Sequence, residues 1–116
     1  MRKRETPFET FLALDIRAGT VVAAEPFPEA RKASYKLTLD FGEEIGVLRS
    51  SAQLTRRYTT KDLLGTRILA VVNFPPKRIA GMASECLVLG VVNPADPADV
   101  VLVRPDAPDT VGWPLG

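Results

Sequence analysis

The chain has 116 residues, with 15 Lys and Arg against 14 Asp and Glu, 46% apolar residues, one cysteine and no histidine. A domain of this size buries about two-thirds of the surface its unfolded chain exposes, so one globular unit over residues 1–116, with no disulfide or metal support, is expected. The absence of histidine excludes Ser-His-Asp and Cys-His hydrolytic chemistry, and with a single cysteine it excludes a zinc site.

Met1-Arg2-Lys3-Arg4 is basic but runs into Glu5 and Thr6-Pro7 without an apolar stretch, so it is not read as a secretory signal. Thr6-Pro7-Phe8-Glu9 combines a capping hydroxyl, a proline at the first helical position and a glutamate three residues after the cap, and predicts a short helix over residues 6–14. Phe8, Phe11 and Leu12 share one face of it, and a helix so short must dock on its own subunit or on a partner. Residues 16–27 read as a strand broken by Gly19 and stopped by Pro26-Phe27-Pro28, with Glu29 to Ala33 as a loop. From Tyr35 the alternation is clean: Tyr35, Leu37, Leu39 and Phe41 on one face, and Ser34, Lys36, Thr38 and Asp40 on a wet face. Gly42-Glu43-Glu44 has turn composition, and Ile45 to Ser50 is predicted to return as the hairpin partner. There Ile45, Val47 and Arg49 share one parity while Leu48 breaks the other, which predicts a bulge.

Thr60 to Gly65 reads as one helical turn closed by glycine, and Ile68 to Val72 as a strand buried on both faces, ended by Asn73-Phe74-Pro75-Pro76. A loop through Gly81 leads to a last strong strand, Cys86 to Val92, with Val100 to Val103 as a shorter companion. Five of the ten prolines follow Asn93, so residues 94–116 are expected to form a proline-rich, extended C-terminal tail. Five or six short strands, with helical turns only at the start and in the middle, predict an all-β fold. The long segment from Ser51 to Gly65 between the third and fourth strands fits a five-stranded Greek-key barrel of the OB type. No apolar run approaches the roughly 20 residues that span a bilayer, so no membrane insertion and a cytoplasmic location are expected.

Net charge is +1, but residues 1–30 sum to −1, residues 31–78 to +6 and residues 79–116 to −4. The basic block contains Arg31, Lys32, Lys36, Arg49, Arg56, Arg57, Lys61, Arg67, Lys77 and Arg78. In an OB-type barrel the second and third strands and their loops form the ligand face, where a basic groove would track a phosphodiester backbone. An ordinary solvated face accounts for the same count. Arg31-Lys32 and Lys77-Arg78 are the more suggestive pairs, because each lies in a predicted loop beside an aromatic residue, Tyr35 or Phe74, on which a base could stack. Ser50, Ser51 and Ser84 have no histidine to activate them, and the carboxylates form no acid–base pair or metal cluster. Cys86 lies in an apolar run and reads as a core thiol. The chain therefore reads as a binding module rather than an enzyme, with no cofactor or metal.

The segment from Asn73 to Glu85, Asn-Phe-Pro-Pro-Lys-Arg-Ile-Ala-Gly-Met-Ala-Ser-Glu, resembles the tRNA-binding domain family of OB-fold modules. Lys77, Arg78, Gly81 and Ser84 match that family's pattern, whereas Ala80, Cys86 and Leu87 depart from it. Ser50-Ser51-Ala52-Gln53, Tyr58 to Gly65, Val71 to Pro76, Ser84 to Gly90, Asp15 to Gly19 and Pro28 to Lys32 extend the resemblance over nearly the whole chain, and are similar to its CsaA branch of export-related chaperones. That resemblance implies a homodimer that binds unfolded or precursor polypeptides for export with the Sec translocase, with the helix from Thr6 and the tail as dimer elements. The related branch implies tRNA affinity, and the alternative function is a structure-selective tRNA-binding module acting in trans. The expected RNA-binding residues are Arg31, Lys32, Lys36, Arg49, Asn73, Lys77, Arg78 and Ser84. A chaperone site needs exposed apolar surface in a concavity, and Leu48, Phe74 and Met82 are its candidates.

Overall fold

The structure is a computed structural model and describes residues 1–116. In chain order the elements are α1 (Phe8–Leu12), β1 (Ile16–Pro26), β2 (Tyr35–Asp40), β3 (Val47–Ala52), α2 (Thr60–Leu63), β4 (Arg67–Val71), β5 (Lys77–Ile79), β6 (Met82–Ser84), β7 (Leu87–Val88), β8 (Gly90–Asn93) and β9 (Asp96–Leu102). Five strands form an antiparallel sheet in the order β3-β2-β1-β4-β7. No helix is long and apolar enough to cross a membrane.

The long first strand makes the barrel. Ile16 to Thr20 pair with β4, and Thr20 to Pro26 pair with β2, so one strand belongs to two ladders. The register slips between Val21 and Ala23, leaving Val22 unpaired and exposed, and such a bulge bends a strand and increases its twist. The barrel then nearly closes through the chain beyond β6. Arg49 N–H donates to Glu85 Oε1 at 2.9 Å, Glu85 N–H donates to the Arg49 carbonyl at 2.8 Å, Ser51 N–H donates to Ser84 Oγ at 3.0 Å, and Ser50 Oγ donates to the Cys86 carbonyl at 2.9 Å. This is the all-β, five-stranded OB-type barrel that the strand pattern predicts.

The alternation of β2 resolves as expected: Leu37, Leu39 and Phe41 are fully buried, in a core shared with Val21, Leu63, Ile68 and Ala70. β4 is covered on both faces, since Leu69 and Val71 enter a second cluster with Ile16 and Ala18, against which Phe11 packs. At Gly19 a Cβ would stand 2.7 Å from the Phe41 ring, so the ring lies where only glycine leaves room.

Several expectations are corrected. The N-terminal helix spans Phe8–Leu12 rather than residues 6–14, with Pro7 in the cap position; the Thr6 hydroxyl bonds the Thr10 hydroxyl instead of a backbone N–H. Its apolar residues also part: Phe11 docks on the barrel, while Phe8 and Leu12 stay exposed. The β2–β3 register is continuous from Tyr35↔Ala52 to Asp40↔Val47, so no bulge occurs there. Leu48 faces inward with Ser50 and Ala52, and Val47 is the exposed residue. α2 begins with a reciprocal box in which Thr59 Oγ1 accepts from Asp62 N–H and Asp62 Oδ2 accepts from Thr59 N–H. The predicted strand from Cys86 to Val92 is divided into β7 and β8. β9 starts at Asp96, inside the stretch expected to be tail, and pairs with β8. The last residues lie along β1, with Ala18 N–H donating to the Trp113 carbonyl at 3.0 Å and Leu115 N–H to the Ile16 carbonyl at 2.8 Å. They occupy the side of β1 that β2 leaves free.

Candidate nucleic-acid interface

The loop through Gly81 is a hairpin. Lys77 to Ile79 pair with Met82 to Ser84, and both central residues of the two-residue turn have positive φ, Ala80 at 46° and Gly81 at 85°. That turn type matches the right-handed twist of paired strands, and it holds β5 out from the barrel with Lys77 and Arg78 exposed.

The basic block divides into neutralised and unpaired cations. Arg56 is ion-paired with Asp96 at 2.6 Å, and Arg57 is ion-paired with Asp99 through Nε and Nη2, so two cations of the block are matched by carboxylates of β9. Arg17, outside the block, is held by Asp15 and Glu44, each at 2.6 Å. Arg31, Lys32, Lys36, Arg49, Lys77 and Arg78 have no carboxylate within ion-pair distance.

Three of these unpaired cations converge. Arg31, Lys32 and Lys77 line one concavity of about 240 Å³ with Ser34, Ser51 and Gln53. Lys77 also lines an adjoining concavity of about 280 Å³ with Phe74, Ser84, Leu87 and, again, Ser51 and Gln53. Phe74 is 44% exposed, so cation and aromatic face are both available from one cleft. The remaining expected residues lie elsewhere. Lys36 holds its ammonium 4.9 Å from the centre of the Phe27 ring, Arg49 is exposed on the outer face of β3, and Arg78 donates to the Gly81 carbonyl at 2.7 Å.

Two polar residues of the expected site serve the fold. The Asn73 carboxamide accepts from Asp15 N–H and donates to the Ala13 carbonyl, each at 2.9 Å, tying the end of α1 to the end of β4. Asn73 lines a different concavity, with Phe8, Leu12 and Leu115, away from the cleft that gathers Arg31, Lys32 and Lys77. Ser84 Oγ accepts from Ser51 N–H of β3, which leaves its O–H and one lone pair for a ligand. The apolar candidates are corrected. Met82 is buried and Leu48 packs on the core, so of the three only Phe74 offers exposed surface. Tyr35 cannot serve as a stacking platform, because its hydroxyl donates to the Tyr58 carbonyl at 2.7 Å and its ring packs on the core.

Gln53 lines both concavities, and no motif in the sequence marks it as a contact. The signal available was its position between Ala52 and Leu54, both buried, which continues the inward alternation of β3 and sends Gln53 outward.

Burial, reinforced by the charge of Glu85, pushes the Cys86 thiol up to about 12, which keeps it a protonated core group rather than a nucleophile. Arg57, then Asn93, holds the Asp99 carboxyl down at about 2. A carboxyl depressed in the folded state contributes stability above its ordinary value near 3.8, and that contribution is lost as pH falls through about 2. Asp99→Asn is therefore expected to flatten part of the decline in thermal midpoint between about pH 4 and pH 2. An unchanged pH profile would mean that the Arg57–Asp99 pair does not help to hold β9.

Residues 16–114 match the model of the family described as "Putative tRNA binding domain". The fold superposes on chaperone CsaA of Bacillus anthracis str. Ames with a TM-score of 0.90 and 51% identity, covering 97% of this chain and 100% of that one. It superposes on the CsaA chaperone protein of Picrophilus torridus with a TM-score of 0.88 and 39% identity, at 97% and 100% coverage. The sequence is also 34% identical over 101 residues to methionine–tRNA ligase of Methanothrix thermoacetophila, a match that takes in 86% of this chain but only 14% of that protein.

Proposed function

Because this chain belongs to the tRNA-binding domain family, we propose that it binds tRNA along the concave face rimmed by Arg31, Lys32 and Lys77. The observation that carries this reading is the sorting of charge: these cations converge without carboxylate partners, while Arg56 and Arg57 are neutralised by Asp96 and Asp99 of β9. Unpaired cations around a cleft displace counterions from a phosphate backbone, so the predicted binding is salt-sensitive. Titration of the full chain with tRNA at low and high salt tests this. Affinity that falls steeply with salt is expected, and salt-indifferent or absent binding would remove the reading.

A second reading is favoured by 51% identity to a chaperone over nearly the whole of both chains. In it the protein is an export-related chaperone in the cytoplasm that holds unfolded or precursor polypeptides for the Sec translocase. Phe74 and Leu87, exposed beside the cleft, would be its apolar contacts. Apolar peptide contacts keep or gain strength at high salt, so the same titration with an unfolded polypeptide separates the two activities.

The homodimer implied by the resemblance is supported by Phe8, Leu12, Leu14 and Leu115, all exposed around one concavity between α1 and the tail. Deleting the residues before Asp15 is expected to convert dimer to monomer in sedimentation. An unchanged dimer would place the contact elsewhere.

A further inference from the structure

We propose that the RNA held in the concave face is an unpaired stretch and that Gln53 contacts a base edge within it. This inference rests on the RNA-binding reading above and names which part of an RNA the cleft takes.

Gln53 is the residue on which the cleft is centred. It lines the basic concavity with Arg31, Lys32 and Lys77, the aromatic one with Phe74, an apolar one with Leu87 and Val100, and a fourth with Thr55 and Pro97. Its side chain is exposed, while Ala52 and Leu54 on either side are buried, so it stands on a fixed backbone. Three polar side chains around it are already engaged, since Ser34 donates to the Lys32 carbonyl, Ser84 accepts from Ser51 N–H, and Glu85 accepts from Arg49 N–H, while the Ser51 hydroxyl, like the three cations, makes no side-chain hydrogen bond. The Gln53 carboxamide makes no hydrogen bond, leaving one acceptor and two donors facing the cleft.

A carboxamide presents a donor beside an acceptor, which is the arrangement that pairs with the edge of a nucleobase. The neighbouring groups complete a nucleotide site. Lys77 is common to the basic and aromatic concavities, so a phosphate on Lys77 would set its base toward the Phe74 ring and Gln53. Helical RNA cannot use this arrangement: its base faces are covered by stacking, and its major groove is too narrow for side chains to read. An unpaired nucleotide leaves both face and edge bare, and aromatic stacking with electrostatic tracking is how single strands are bound.

The test is binding of short single-stranded oligo(A), oligo(C) and oligo(U) and of a fully paired RNA hairpin stem to the full chain and to Gln53→Ala, each across a salt series. The single strands are expected to bind more tightly than the stem. Gln53→Ala is expected to lose roughly 5- to 100-fold in affinity for the preferred oligomer and to narrow the spread among the three. Its salt slope should stay unchanged, because no charge is removed, and its thermal midpoint should stay unchanged, because the side chain is exposed. Equal binding of stem and single strands, or an unaltered preference in Gln53→Ala, would overturn the inference while leaving RNA binding intact. If neither RNA form binds in a salt-dependent way, the underlying reading fails instead. Loss of unfolded-polypeptide binding in Gln53→Ala with RNA binding unaltered would assign the cleft to polypeptide and overturn it as well.

Discussion

Replacing Arg31, Lys32 and Lys77 together by alanine is expected to weaken tRNA binding about a hundredfold at 0.1 M salt, with the difference vanishing toward 1 M. Each cation that neutralises a phosphate contributes roughly 0.7–0.9 to the slope of log affinity against log salt, so removing three should lower that slope by about 2 to 3. All three are exposed or at a loop, none has a carboxylate partner, and none enters the core, so the variant should fold as the parent does. The informative control is Arg56→Ala with Arg57→Ala, which removes two charges from the same basic segment. Because Asp96 and Asp99 already neutralise them, this pair should leave the salt slope nearly unchanged while loosening β9. A drop in slope similar to that of the triple variant would show that RNA follows the net charge of the segment rather than the unpaired cleft. Polypeptide binding should survive the triple variant, because its proposed contacts, Phe74 and Leu87, are apolar; its loss in parallel with RNA would mean that polypeptide too is held by the cations.

Phe41→Ala is expected to cost about 3–5 kcal/mol, a large share of the roughly 5–15 kcal/mol that holds a domain folded. Phe41 is fully buried, follows the last residue of β2, and fixes the turn to β3 by donating its N–H to the Gly46 carbonyl at 3.0 Å. Its ring lies on Gly19, where β1 passes from one ladder to the other. The lost ring would leave a cavity between β1 and β2 that a twisted barrel cannot close by collapse. Gly19→Ala alone should cost about 1–3 kcal/mol by pressing a methyl into the ring. In the double variant the new methyl enters the space the ring has left, so the combined loss should be smaller than the sum. Urea denaturation of the four proteins measures this; strict additivity would mean that ring and glycine are not in contact in solution.

The parts of the fold that were legible are those set by short-range periodicity. Leu37, Leu39 and Phe41 announced the inner face of β2 because side chains alternate along a strand, and Ile68 to Val71 announced a doubly covered strand because no polar residue interrupts it. Leu48 was misplaced because Val47 is equally apolar, and only pairing with β2 decides which of the two faces inward. The β5–β6 hairpin was hidden because its turn has alanine, not asparagine or aspartate, at the first positive-φ position. The motif that joins Asn73 to Lys77 carries no sign that Asn73 also closes a clamp on the chain after α1, because Ala13 and Asp15 lie 60 and 58 residues away along the chain.

The sequence by itself determined an all-β barrel, a chain without histidine for triad chemistry, and a basic middle segment that includes every cation now found at the cleft. Which of those cations remain unpaired was decided only by tertiary structure. Arg56 and Arg57 meet carboxylates 40 and 42 residues away because β9 folds back beside them, while Arg31, Lys32 and Lys77 meet one another because a loop and a hairpin flank the same end of β3. Alternation is a property of neighbouring residues and can be read along the chain. The charge of a surface depends on which distant segments come within a few ångströms, and folding alone brings them there.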